Sequence, residues 1–449
     1  MASTYLTRNA GTPTSGQIMT ISLWAKRSST VEHGGLFSGQ TSNGRSFIKF
    51  TSGDNIEVRE NIAATQYFKL TTNAKYRDCN GWYHIVLAID TTQGTASDRL
   101  KLYVNGVQVT SFSTAAYPTQ NLVLNGWNKS GQAQVVGNEV TYSYFFNGII
   151  SYFNFIDGTA YPASTFGSTD STTGEWKINI SPSVTYGNNG FLILKNGNSL
   201  TDESPNSNNF TLGAGTLTNT LDCPDNVFAT LNPLDKGYTG TINLANGNNT
   251  TMASSGAGDY GLRSTLGASS GKYYFEVKVN GGNTQSIGDM DARLVINMQA
   301  SSPTAGFYGF QRYSNSATNL YNNGSFVSQN TAMWGGITAG DIISFAVDLD
   351  NSKIFLQKNG TGWKNTSGAT GDPVNGTNPT FTIADATKTY GFYCELRDNA
   401  DNQTQMNFGN GVFGTTAVTS AGTAGSTPGT FEYNVPSGYQ PLTTKGLNA

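Results

Sequence analysis

Apolar and polar residues alternate with a period of two along many short stretches of this chain. Between residues 81 and 109, Tyr83, Ile85, Leu87 and Ile89 fall on one side, and Trp82, His84, Val86 and Ala88 on the other. One side is uniformly apolar, the pattern of a strand with one face in a core. A second strand, Leu100 to Val104, runs into Asn105-Gly106. That dipeptide between strand-like runs marks a tight hairpin, because both turn positions need positive φ. The same plan returns at 342–363: a long apolar strand, an Asp-bearing turn, a second strand and Asn359-Gly360. Two copies of one plan predict an all-β chain of two β-sandwich, jelly-roll-like domains.

Further strands are expected at 18–26, 35–37, 47–50, 55–58, 121–127, 134–136 and 142–156 in the first half. In the second half they are expected at 271–279, 293–298, 306–310, 341–350, 353–358, 380–383 and 390–396. Residues 166–235, rich in Ser, Thr, Asn and Gly, read as a connector packed as extended chain on one domain. The domains are therefore 1–165, the connector 166–235, and 236–449. Residues 414–430 are nearly all small and read as a mobile surface loop.

Composition narrows the function classes. Charged residues make up 12% of 449, about half the usual ~25%, and aromatics 12%. With a net charge of −3, nothing supplies the basic footprint of a nucleic-acid binder. No apolar run approaches the ~18 residues of a membrane span, so no membrane insertion is expected. The first twenty residues lack the apolar segment of a secretory signal. Cys79, Cys223 and Cys394 are too few and too scattered for a disulfide framework or a zinc site.

The first region resembles the laminin-G/pentraxin-like, concanavalin A-like lectin family. The resemblance rests on Ile21–Lys26 (ISLWAK), on Trp82, His84 and Asp90 with Leu102–Gly106 (LYVNG), and on Asn147–Asp157 (NGIISYFNFID). The second region resembles the SPRY family at Gly271–Val277 (GKYYFEV), Gly340–Asp350 (GDIISFAVDLD), Ile354–Gly360, Asn407–Gly409 and the closing tail Phe431–Leu442. The tandem order is similar to appendage proteins of tailed phages, marine ones especially. That resemblance implies a virion surface protein, assembled in a host cytoplasm and working as a tail fibre, spike or other appendage. Its implied partners are other virion proteins and a host glycan or envelope protein, and the implied state is a homo-oligomer, with a trimer as the guess. The alternative is a capsid- or tail-decorating subunit. A carbohydrate-active hydrolase comes third.

Catalytic chemistry has little to draw on. His33 lies in a Gly-bearing loop and His84 in mid-strand, where packing is expected. The Glu57-Val58-Arg59-Glu60 run puts its acids on opposite faces of a strand, unlike the flanking pair a glycosidase needs. No enzyme is expected, and no cofactor. Calcium stays open without assigned ligands; Asp348, Asp350 and Asn351, Asp398 with Asp401, and Asp289 with Asp291 are the clusters, but no oxygen-ligand spacing like an EF-hand is present and turn formation is the simpler account of them. Recognition needs only exposed rings and neutral polar groups. The candidates, aromatics outside clean alternation, are Trp334, Tyr313, Tyr321, Trp127 and Tyr142, with Trp334 before Gly335-Gly336 foremost.

Overall fold

The period-two segments form antiparallel ladders because each has one apolar face to bury and turn residues at its ends. In the computed structural model the described residues are 3–41, 44–195, 199–236, 243–252, 260–279, 283–289, 306–314, 317–329, 333–396, 404–419, 422–423 and 429–447. The chain divides into two units, Met1–Thr218 and Asn219–Ala449.

In the first unit, a long sheet has the strand order Phe112–Ala116, Thr65–Thr72, Ile56–Ile62, Gly44–Phe50, Gly34–Thr41, Ala133–Val136, Tyr5–Asn9, Thr211–Ala214. A shorter sheet has the order Phe191–Ile193, Gly148–Asp157, Ile18–Arg27, Tyr83–Asp90, Leu100–Val104, Val107–Gln108. Their inner faces form one core, in which Ile21, Leu23, Ile85, Leu87 and Ile89 meet Phe37, Ile48, Phe50 and Val58. The alternation read at 82–90 is therefore the inner and outer face of one strand.

The stretch 166–235, expected as a connector on one domain, is shared between the two units. Phe191–Ile193 pairs with Gly148–Asp157, Thr211–Ala214 pairs with Tyr5–Asn9, and Leu231–Lys236 joins a sheet of the second unit. Its apolar islands complete sheet edges, where an extended segment gains ladder hydrogen bonds. Residues 159–186 cover the outer face of the short sheet, where Phe166, Tyr161, Trp176 and Tyr186 pack with Val86 and Ile156.

Both predicted hairpin turns form. Asn105 and Gly106 have φ of 48° and 79°, and Asn359 and Gly360 have 49° and 67°. In each, the Asn amide oxygen accepts the N–H of the residue opposite, His84 or Ile342, at 2.8 Å. Residues 121–127 are not a strand. Asn121 sits at φ 60°, and the segment is held by the Glu60 carboxylate and the Gly16 carbonyl instead of a ladder.

The second unit is also two-layered. One sheet has the order Leu231–Lys236, Tyr260–Ala268, Tyr390–Leu396, Asn283–Asp289, Phe307–Ser314, Ala317–Asn322, Ser325–Gln329. The other centres on Thr404–Asn407, Lys272–Val279, Ile342–Asp348 and Lys353–Lys358. Phe275, Phe345, Phe392 and Phe408 interlock between them. The strand expected at 293–298 lies outside the described residues. Within 414–430, the described residues include Thr416–Ala417 and Gly422–Thr423, each paired in a two-residue ladder.

Glu276 ties the closing tail to this unit. Its buried carboxylate accepts the N–H groups of Glu432 and Tyr433, both at 2.8 Å, the Tyr274 hydroxyl at 2.9 Å and the Asn407 amide at 3.2 Å. Burial pushes the carboxyl up to about 7, against the pull of those four donors. An unfolded Glu titrates near 4.5. Between these values the folded state holds the extra proton, so the contribution is fully present below the lower value and lost as pH rises through the upper one. The second unit is expected to lose on the order of 3 kcal/mol across that window. Calorimetric melting from pH 4.5 to 8 checks this: one transition should fall with pH, and Glu276→Gln should flatten that slope.

Candidate functional site

A serine and a histidine lie within reach of each other in the first unit. Ser22 Oγ is 2.9 Å from His84 Nε2. Both residues are buried, and the imidazole is stacked against Trp24 and Trp176 with centroids 4.6 and 6.0 Å away. The Trp176 indole N–H donates to His84 Nδ1 at 3.0 Å. That bond places the proton of a neutral ring on Nε2, which therefore donates to Ser22. A general base needs that nitrogen's lone pair free toward the nucleophile, with an acceptor on Nδ1. The pair is thus built as a structural link. Burial holds His84 down at about 3, so it stays neutral at physiological pH.

The acids of the 57–60 run face opposite ways, as their spacing requires. Glu60 points inward, where it accepts the Ser46 hydroxyl at 2.8 Å and the Asn125 N–H at 3.1 Å. Burial raises its carboxyl. Glu57 points outward and shares its carboxylate between Lys69 at 3.6 Å and Arg59 at 3.9 Å.

Outward side chains of the long sheet form the richest polar and aromatic surface of the unit. The strand register sets three rows across it: Gly35, Lys49, Glu57 and Thr71; Ser38, Phe47, Arg59 and Lys69; Gln40, Arg45, Asn61 and Gln66. A hairpin of Asn138–Glu139 and Tyr144–Phe145 lies on part of this face, fixed by the Ser38 hydroxyl donating to the Asn138 carbonyl at 2.8 Å. Gly35 makes room for it: a Cβ there would stand 2.1 Å from the Glu139 backbone nitrogen.

Beneath and beside the hairpin, rings and cations stack in sequence. His33 stacks on Tyr144 with centroids at 4.3 Å, and Tyr144 on Tyr142 at 5.4 Å. The Arg45 guanidinium lies 4.4 Å from the Tyr142 centroid, and Lys49 Nζ lies 4.8 Å from that of Tyr144 and 4.6 Å from that of Phe47. These are cation–π distances. Burial, then the charge of Lys49, lowers His33, and burial lowers Lys49. Glu139 is fully buried, with Arg45 Nη1 at 3.8 Å and no hydrogen bond to either carboxylate oxygen.

Of the aromatics chosen from sequence, Tyr142 alone among the described side chains is strongly exposed, at 54%. Trp127 is fully buried, lying against Phe37 and Phe68, so it is core and not a ligand platform. Its loop lacks alternation because it crosses the end of the core, which broke the inference from irregularity to exposure. Tyr321 is buried with Phe307 and Tyr393. Tyr313 lies in Phe307–Ser314, but its side chain is outside the described residues. Trp334 is half-buried on the second core with its indole N–H turned inward and unpartnered, and Lys358 donates to the carbonyls of Trp334 and Gly336. Sequence reasoning missed Arg45, Lys49 and Tyr144. Period two in RSFIKF was the available signal, since it puts both cations on the face opposite Ile48.

Among the described residues no three His, Cys, Asp or Glu side chains are grouped to hold a metal ion. Asp348 is engaged by Lys272 at 3.0 Å and by Asn351, and Asp350 accepts the Gly271 N–H. Asp291, Asp398 and Asp401 lie outside the described residues, as does the side chain of Asp289.

Residues 1–164 match the family model of the concanavalin A-like lectin/glucanases superfamily, and they lie within the two-sheet sandwich of the first unit. No curated protein matches the chain. Similar solved structures include the SPRY domain of human HERC1, 19% identical over 39% of this chain and 96% of that one, with a TM-score of 0.29. Another is the heptameric SAP-like pentraxin from Limulus polyphemus, 14% identical over 47% and 89%, with a TM-score of 0.28. A third is domain 4 of the GH43 arabinanase AbnA from Geobacillus stearothermophilus, in complex with arabinotriose, 20% identical over 33% and 64%, with a TM-score of 0.25.

Because the hairpin rests on Gly35, Gly35→Ala is expected to lift it. The variant should lose about 1–3 kcal/mol of stability. Amide exchange should accelerate at 138–145, while 18–27 and 83–90 keep their protection.

Proposed function

We propose that this chain is a non-enzymatic recognition protein that engages a surface saccharide through the outer face of its long sheet. The observation that carries the reading is the Tyr142 ring, 54% exposed although it contacts both Tyr144 and the Arg45 guanidinium, at the edge of a sheet face that the hairpin covers in part. A ring fixed in this way stacks on a sugar at little entropic cost, while Asn61, Gln40 and Arg59 beside it offer hydrogen bonds to hydroxyls. The finer reading is that the protein is carried on the surface of a tailed phage, as a fibre, spike or appendage contacting a host glycan or envelope protein, in a homo-oligomer. What supports it is the resemblance of the tandem order and the closing tail. The second unit then serves attachment or a further contact.

Two measurements test this. On a glycan array the full chain should bind saturably, and Tyr142→Ala should weaken binding roughly three- to tenfold, while Trp334→Ala leaves it unchanged. Binding lost in the Trp334 variant and kept in the Tyr142 variant contradicts the assignment. Antibody against the chain should decorate intact phage particles in electron micrographs; bare particles contradict the virion role.

A further inference from the structure

Charge on the long sheet's outer face runs against the charge of the chain. The whole sequence carries −3. On this face, among the described residues, the carboxylates facing Arg45, Lys49, Arg59 and Lys69 are Glu57 and Glu139. Glu57 is shared by two cations, at 3.6 and 3.9 Å. Glu139 stands 3.8 Å from Arg45 and is fully buried. Lys49 has rings for neighbours, and no carboxylate stands within 4.0 Å of it among the described residues. Burial and the neighbouring Lys49 charge favour the neutral form of His33. Four cations less two carboxylates leave +2 in a patch of neighbouring side chains.

The register fixes the patch's size. Three rows two residues apart, on three adjacent strands, span about 13 Å along the strands and about 10 Å across them. Arg59 and Lys69 keep 23% and 25% of their side chains exposed, and both lie in the row between Lys49 and Arg45. The Arg45 nitrogen that faces Glu139 stands 3.8 Å from it without a hydrogen bond, so that ion pair is loose, and the Arg45 side chain keeps 16% exposure.

We infer that the ligand of this face is an anionic saccharide, one bearing sulfate or carboxylate groups, with the anionic groups on Arg59, Lys69 and Arg45 and a sugar ring on Tyr142. This deepens the proposed saccharide recognition and rests on it. Two cations sharing one carboxylate gain from an added anion, as charge complementarity requires, and Arg59 and Lys69, about a quarter exposed, are screened by salt.

The test uses the full chain with dextran sulfate and neutral dextran, which share a backbone and differ in charge. Three proteins are compared: wild type, Arg59→Gln/Lys69→Gln on the face, and Lys101→Gln/Lys177→Gln elsewhere in the same unit. The two double variants carry the same net charge. Wild type should bind dextran sulfate at least about tenfold more tightly than dextran at 50 mM salt and lose most of that advantage at about 500 mM. The face variant should lose about tenfold and the control variant less than twofold. Equal loss in both variants, or tighter binding of a single-stranded oligonucleotide than of dextran sulfate, overturns the inference. Binding of both dextrans with one affinity, weakened by Tyr142→Ala, overturns the charge and leaves the saccharide reading standing. Absence of dextran sulfate binding overturns the inference, while the glycan array decides the broader reading separately.

Discussion

A two-sheet sandwich buries two sheet faces and leaves two more to be dealt with, and in the first unit the pin of that arrangement is one imidazole. His84 sits on the outer face of the short sheet between Trp24 and Trp176, taking the indole proton on Nδ1 and giving its own to Ser22. Trp176 is brought there by residues 159–186, which seal that face. The constraint has two consequences. It removes the only described Ser–His contact from solvent and sets its tautomer against catalysis. It also spends the covering segment on one sheet, so the outer face of the other is covered only in part, by the hairpin of Asn138–Glu139 and Tyr144–Phe145.

How that second face became a surface with specific chemistry follows from local rules. Period two sends Arg45, Phe47 and Lys49 outward from the strand whose Ile48 and Phe50 enter the core. A glycine at position 35 admits a hairpin at van der Waals distance, and the hairpin brings Tyr142 and Tyr144 over the cations. Each ring and cation is held by the next, so Tyr142 is exposed yet restrained. Phe47, with no core neighbour to join on this side, is buried by that stack.

Much of the fold was legible in the sequence. The two Asn-Gly turns, the inner and outer faces of 82–89, and the strands expected at 18–26, 271–279, 341–350 and 353–358 follow from alternation and turn chemistry alone. Less legible was the stretch 166–235, whose short islands have no pattern until a sheet edge exists for them to join. The site was read only in part. Exposure was inferred from broken alternation, which holds for Tyr142 in a hairpin turn and fails for Trp127, whose irregular loop crosses the core. The cations Arg45 and Lys49 carried the right period, but their partners, Tyr142 and Tyr144, are distant in sequence and meet them only through Gly35.

The central claim is that recognition takes place on the outer face of the long sheet. The most direct measurement is an amide-exchange footprint of the full chain with and without the saccharide that binds it best. The account predicts slowed exchange at 44–50, 56–62 and 138–145, and none at 333–341. Slowing confined to the second unit, with the long sheet unchanged, would contradict it.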